Sequence, residues 1–399
     1  MGHLADLLES FYQTLAGADG LTQIRAKSWS RFCDTPFPRI QIDPVTLPSR
    51  TPDPAEVERA RLFDHTLVFL DGHYLPDLSN PGPLKPLTLS QAQTTYGTFL
   101  GNRLGRLLKG EQDPLSLLNG ALHGNGAFLY LPPNTQIPGV VQVIHLVSDR
   151  TLASPRLHLY AGAGSQIELL STLSTPTSAL VNGMVDLAVE ENASVKLTAL
   201  TDAPQATLFS AVRSTQKRDS RLEVVIADRG AKRSDHDIRA SLLEPNSDVH
   251  LSGTFCLSAA RSAQANILVE HLAPYTTSSQ LFKNLLSDRS RSRFAGKIWV
   301  DREAQKTDAF QLNNNLLLSE GAIAYSEPNL EIFADDVKAS HGSTTGQLGE
   351  EELFYLTSRG VATKGAKQLL VKGFIGEVGE RLPYPCRQTL NQWICDVTD

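Results

Sequence analysis

The chain has 399 residues, 20% of them charged, with a formal net charge of −6. That length exceeds one ordinary core, so two or three structural units are expected, and the acidic balance argues against a nucleic-acid binder, which needs a concentrated basic face. No apolar run reaches bilayer length, and "MGHLADLLES" has neither the parts of a secretion signal nor a serine or threonine at position six for myristoylation, so a cytoplasmic setting is expected.

In chain order, Leu4, Leu7, Leu8, Phe11, Tyr12 and Leu15 recur at helical spacing and predict a helix that Gly17 and Gly20 end. The proline-rich stretch from Pro36 to Pro54 predicts an extended linker. "HTLVFLDGHYLPDLS" predicts strand, turn, strand, with Asp71-Gly72 supplying the positive φ of a tight hairpin. "PGPLKPL" reads as extended and "TYGTFLGNRLGRLLKG" as a short helix weakened by glycine. Residues 1–110 are expected to form a mixed, mostly helical N-terminal region.

From about Asn119 to Ser340 helical periodicity is almost absent. Short alternating runs recur instead, each opening on small or polar residues: "GSQIELLS", "NASVKLTA", "DSRLEVVI", "NSDVHLSG". Their inward apolar residues Ile167, Val195, Leu222 and Val249 are 28, 27 and 27 residues apart. Such regularity predicts stacked rungs, a β-helix, in which each rung covers the edges and apolar face of the next. A large antiparallel sandwich would give a similar pattern. The β core is expected over 111–345.

A solenoid needs a cap, and 346–399 is expected to supply helices for one. "GEEELFYLTSRG" opens with Glu350, Glu351 and Glu352, suited to a helix N-terminus, and closes with Arg359 and Gly360, suited to its end. Thr363 is expected to cap the next helix, with Ala366, Leu369, Leu370, Gly373, Phe374 and Val378 as its apolar stripe and Gly379 as its stop. A third short helix is expected around Leu390, Trp393 and Ile394. Such helices either fold back on the β region or receive a partner. The four cysteines, Cys33, Cys256, Cys386 and Cys395, form no CxxC and read as small apolar residues rather than a disulfide framework, a zinc site or a self-sufficient iron–sulfur site.

The strings "HLAPYTTSSQLFKNLLSD", "FAGKIWVDREAQKTDAFQLNNNLLLSEGA", "PNLEIFADDVKASHGSTTGQL" and "EELFYLTSRGVATKGAKQLLVKGF", with "NGAFLYLPPNTQI" near Phe128, resemble the SufB/SufD family of iron–sulfur cluster assembly proteins. The pairing of "ADDVKxSHG" with "LFYLxSRG" is closer to the SufD-type branch. The resemblance implies a right-handed parallel β-helix flanked by N- and C-terminal helical regions. It implies pairing with SufB through the end of the β-helix and docking of the ATPase SufC on the C-terminal helices. It also implies a transient iron–sulfur cluster at the SufB interface, with none bound by this chain alone. No Walker A pattern is present, so ATP hydrolysis would belong to a partner. A reduced flavin is implied in some assembled complexes, but the chain has no dinucleotide fingerprint and none is assigned. Ala339 stands where related chains often carry cysteine, and the tryptophan-containing stretch usual in the SufD branch is not recoverable around "CDTPFPRIQIDPVTL".

Among single residues, His341 is the metal-ligand candidate: a neutral imidazole binds iron yet is replaced more readily than a thiolate. The bland alternative is a hydrogen-bonded strand histidine. Asp335 and Asp336, as neighbours on a strand, would face opposite ways, so charge or hydrogen bonding at a strand end is expected rather than paired catalysis. Lys338 reads as solvated. Asn313–Asn315 reads as an amide ladder at a rung corner or a turn, and "DRSRSRF" as a solvated turn. His145, His158, His236, His250 and His271 match no ligand motif, and Cys256 reads as buried and inert. Phe354, Tyr355, Arg359 and Gly360 are the partner-binding candidates, with helix packing and a glycine stop as the alternative. The reading is a non-enzymatic scaffold that could form a homodimer when isolated; the alternative is a β-helix carbohydrate-active enzyme.

Overall fold

The computed structural model describes residues 2–15, 21–36 and 53–398; over 37–52 the expected linker lies outside the described residues. Ile167, Val195, Leu222 and Val249 sit directly beside one another in consecutive parallel strands. Each coil of chain contributes one strand to each of two facing sheets, and each sheet has ten strands. Backbone N–H and C=O groups along each strand are thus satisfied by the coil before and the coil after. Antiparallel ladders are confined to the N-terminal end, where His73–Tyr74 folds back on His65–Leu70 and Leu87–Thr88 pairs with Ala127–Leu131. The fold is therefore a parallel β-solenoid and not an antiparallel sandwich. The hairpin is the one expected: Asp71 (φ 49°) and Gly72 (φ 88°) make its turn.

The corners explain the polar openings of the repeats. Corners leading from the second sheet to the first place Asn134, Gly164, Asn192, Asp219 and Asn246 in left-handed backbone, with φ between 57° and 68°. These residue types tolerate that region. The Asn192 N–H donates to the Arg218 carbonyl of the next coil at 3.0 Å, and Asn134 and Gly164 repeat the contact with Ala163 and Glu191. In the next two coils Tyr275 and Lys306 occupy this position, at φ 59° and 61°.

Five helices precede or lead into the solenoid: α1 (Gly2–Leu15), α2 (Thr22–Asp34), α3 (Pro54–Ala60), α4 (Leu89–Gly110) and α5 (Pro114–Leu122). The helix α1 is as expected, with Leu8 and Phe11 buried against α5 residues such as Leu118. The helix α4 is longer than the sequence suggested. It starts six residues earlier, behind a capping box in which Thr88 and Gln91 satisfy each other's backbone N–H, and it kinks at Tyr96.

Two buried ionic networks lie at the second sheet's outer face beneath these helices. Asp186 is fully buried, 2.8 Å from the Arg156 guanidinium and 2.9 Å from His158 Nδ1. Arg156 Nε donates to His158 Nε2 at 2.9 Å. A ring nitrogen that accepts is deprotonated, so His158 is neutral, with its other ring nitrogen, Nδ1, facing Asp186. Burial lowers the His158 pKa, and Asp186 opposes that only in part. Nearby, Arg213 donates to Glu111 at 2.7 Å, joining the end of α4 to a strand 102 residues later.

At the other end, α6 (Glu350–Ser358), α7 (Thr363–Gly379) and α8 (Tyr384–Thr398) follow the last strand. The helices α7 and α8 fold back on the outer face of the first sheet. There Val371, Ile375, Val378, Leu390, Trp393 and Ile394 pack against Leu170, Val225, Cys256 and Leu285. Two expectations need correcting. Thr363 is the first helical residue, not the cap, which is Ala362 without a side-chain bond. The buried stripe of α7 runs through Ala366, Val371, Ile375 and Val378. Leu369 is 54% exposed, because the helix meets a flat sheet and not a helical partner. The third helix buries Leu390, Trp393 and Ile394 as expected.

Candidate functional site

The N-terminal end of the solenoid is closed by hairpins and helices, and the C-terminal end is open. Strand Lys338–Gln347 is last in the first sheet and pairs only with Asp308–Leu317; strand Ile323–Ile332 is last in the second and pairs only with Arg291–Val300. Two ten-residue edges are thus free among the described residues. Long unpaired edges are templates for strand addition and natural proteins seldom leave them uncovered. Large apolar side chains gather here in solvent: Phe310, Tyr325, Ile332 and Phe333, the last packed on Trp299 at 4.7 Å between ring centroids.

Alternation along Lys338–Gln347 places Ala339, His341, Ser343 and Thr345 on the face continuous with the solenoid interior. Ala339 extends the inward column of Ile167, Val195, Leu222 and Val249 through Ser278 and Ala309. Ala339 is therefore two residues from His341 on the same face. The His341 column is aliphatic through Leu169, Leu197, Val224 and Leu251. It then changes character to Gln280, Gln311 and His341. Both glutamines are fully buried. His341 is exposed, because no coil covers it, and no described residue is hydrogen-bonded to its ring. Among the described residues no three His, Cys, Asp or Glu side chains converge as a metal site. Any metal reaching His341 would need further ligands from another molecule.

The neighbouring motifs are structural. Asn284 Nδ2 donates to Asn315 Oδ1 and Asn315 Nδ2 to Asn313 Oδ1, each at 2.9 Å, so the asparagine run is an amide ladder, inside strands rather than at a corner. Asp335 and Asp336 lie in the turn before the last strand, not within it. Asp336 takes the Lys306 backbone N–H and forms an ion pair with its ammonium. Lys338 is exposed. "DRSRSRF" is a turn only at its start; from Arg291 it is strand, and Arg293 pairs with Glu327 at 2.6 Å on the outer face.

The other histidines singled out in the sequence each lie against a polar partner. His236 meets Asp228 at 2.9 Å and His250 meets Asp248 at 3.0 Å. His271 holds Thr276 and Ser278 at 2.7 and 2.8 Å, and His145 holds Ser171 at 3.1 Å. Burial lowers the pKa of His145 and of His271 to about 4. An unfolded histidine titrates near ~6.5, so between these values the unfolded chain binds the extra protons and stability falls as pH falls. We expect the urea midpoint to drop steadily from pH 7 to 4.5 and His271→Gln to flatten the slope; a midpoint constant over that range would contradict the assignment. Cys256 and Cys386 are buried and their thiols are pushed up to about 12, which keeps them protonated. Cys33 departs from the expectation, being exposed on α2.

The helix α6 has no buried residue. Phe354 is 73% and Tyr355 59% exposed, and the Arg359 guanidinium lies over the Tyr355 ring at 5.2 Å. Gly360 ends the helix at φ 88°, a conformation that favours glycine. These side chains are accordingly not held by helix packing. No helix among the described residues is long and apolar enough to cross a membrane.

Residues 144–374 match the family model described as SUF system FeS cluster assembly, SufBD core domain. A Synechocystis iron–sulfur cluster assembly SufBD family protein is 30% identical over 79% of this chain and 74% of its own length. The Escherichia coli iron–sulfur cluster assembly protein SufD is 44% identical over 29% of this chain and 27% of its own length. The SufD of Bacillus subtilis is 27% identical over 69% of this chain and 64% of its own.

Proposed function

This chain belongs to the SufBD family of SUF-system iron–sulfur cluster assembly proteins, and on that footing we propose that it is the SufD-type scaffold subunit of an assembly complex. One observation carries the proposal: the solenoid is sealed at one end and ends at the other in two strand edges that are free among the described residues, with an imidazole that no described residue bonds, between small residues on the uncovered face. Such an end is suited to a second solenoid of the same architecture, and SufB is the partner we assign to it. In isolation, a second copy of this chain would cover the same edges. His341 then lends a transient nitrogen ligand to the cluster, which is cargo and not a resident cofactor. The thiolates come from SufB, since Ala339 supplies none. Imidazole binds less strongly than thiolate, which favours release of the finished cluster. We propose a cytoplasmic setting and no catalytic chemistry on this chain alone.

SufC is assigned to α6 and the adjoining turn. Phe354, Tyr355 and Arg359 form an aromatic and cationic patch of the composition enriched at interface centres. Phe354→Ala with Tyr355→Ala is expected to weaken SufC binding by about 30-fold or more, the loss of a ~2 kcal/mol anchor. Both rings are exposed, so the thermal midpoint of the free chain is expected to stay unchanged. Calorimetric titration of SufC reads the effect, and unaltered affinity would refute the docking site.

A further inference from the structure

We propose that Gln311 is a positioning residue that fixes the tautomer of His341; the inference rests on the reading of His341 as a cluster ligand. Gln311 stands directly opposite His341 in the ladder, one coil inward. Its Nε2 donates to the Gly296 carbonyl at 3.3 Å. A carbonyl only accepts, so the amide is oriented with its oxygen as the free end. That oxygen is buried and has no hydrogen-bond partner among the described residues.

The surroundings are shaped for this amide. A Cβ on Gly296 would lie 2.3 Å from Gln311 Nε2, so the glycine leaves the space that the amide fills. One coil deeper Gln280 is also fully buried, and neither amide atom has a hydrogen-bond partner among the described residues. Two coils deeper the same column position is Leu251. A leucine would avoid the ~1–3 kcal/mol that an unsatisfied buried polar group costs. From Val141 to Leu251 the column is aliphatic, and the buried amides stand in the two coils that lead to His341.

Adjacent strands lie about 4.8 Å apart, so the Gln311 amide is within side-chain reach of the imidazole one coil above, and a bond to its oxygen selects the ring nitrogen that carries hydrogen. The second nitrogen is left with its lone pair directed away from the amide, available to a metal. Metal-binding histidines generally need such an outer hydrogen bond to hold ring and tautomer. When a partner covers the rim, water no longer competes for the exposed ring, and the bond to the buried oxygen forms.

The test uses the full chain in complex with its partners. Gln311→Met keeps the length and removes the acceptor; Gln311→Leu restores the residue type of position 251 and serves if the methionine variant folds poorly. Selective 15N labelling of histidine reads the His341 ring, and iron and sulfide per complex read assembly. We expect one neutral tautomer in the parent, a mixture in the variants, about tenfold slower assembly, and a thermal midpoint equal to or above the parent's. A single tautomer and parental assembly in the variants overturn the proposal. If His341→Ala is defective while Gln311→Met is not, the positioning role alone falls; if His341→Ala also assembles at the parental rate, the ligand reading falls as well.

Discussion

Replacing His341 by alanine is expected to slow cluster assembly by the complex at least about tenfold while leaving the stability of the free chain within about 0.5 kcal/mol. The two halves of this expectation have separate causes. The side chain is exposed at the open end, no described residue bonds to it, and its removal opens no cavity. The assembly effect follows from ligand arithmetic. Loss of an outer hydrogen-bond partner of a metal ligand costs 10–100-fold, and loss of the ligand itself should cost no less. With Ala339 two residues away, this strand offers no thiolate to substitute. Iron and sulfide per complex, followed in time, measure the rate, and urea unfolding of the isolated chain measures stability. A parental rate would remove His341 from the site; a large stability loss would make it a structural histidine.

The largest stability effect is expected far from that end. Asp186→Ala should destabilise the chain by about 3–5 kcal/mol, because removing one partner of a buried ion pair strands the other. Asp186 and Arg156 are both buried, and His158, held neutral by its bond from Arg156, brings no compensating charge. Burial pushes the Asp186 carboxyl up, but Arg156 above all more than offsets this and holds it well below the usual carboxylate range. A depressed carboxyl contributes stability above its unfolded value of ~3.9 and loses it as pH falls below that. The Asp186 contribution therefore declines progressively as pH falls below ~4 toward its much lower folded-state value, under the window in which His145 and His271 act. Denaturant unfolding of Asp186→Ala at pH 7 and pH 3 tests both statements. A loss under 1 kcal/mol at pH 7, or an undiminished difference at pH 3, would contradict them.

The coil was legible because its first rungs are nearly equal in length. Ile167, Val195, Leu222 and Val249 could be aligned by spacing alone, and they are neighbours in the ladder. The same alignment fails beyond Val249, since the steps from Leu251 to Gln280, Gln311 and His341 lengthen to 29, 31 and 30 residues. The amide column beneath His341 was hidden by that change of period. The Thr88–Gln91 capping box was present in the sequence as Thr-x-x-Gln and would have lengthened α4 had it been read. The stripe on α7 misled because Leu369 and Val371 are equally apolar, and only the sheet beneath decides which turns inward. The ion pair of Glu111 with Arg213 carries no local signal, its partners being 102 residues apart. His341 was singled out by family resemblance; its exposure on an uncovered strand is a property of the whole stack.

The central claim is that a partner solenoid covers the open end. Amide hydrogen exchange of Lys338–Gln347 and Ile323–Ile332, read in the isolated chain diluted to a monomer and again with SufB bound, tests it most directly. Protection of both strands on binding, with the sealed N-terminal hairpin at His65–Leu70 unchanged, is the predicted result. A complex that forms while these two edges exchange as fast as before would contradict it.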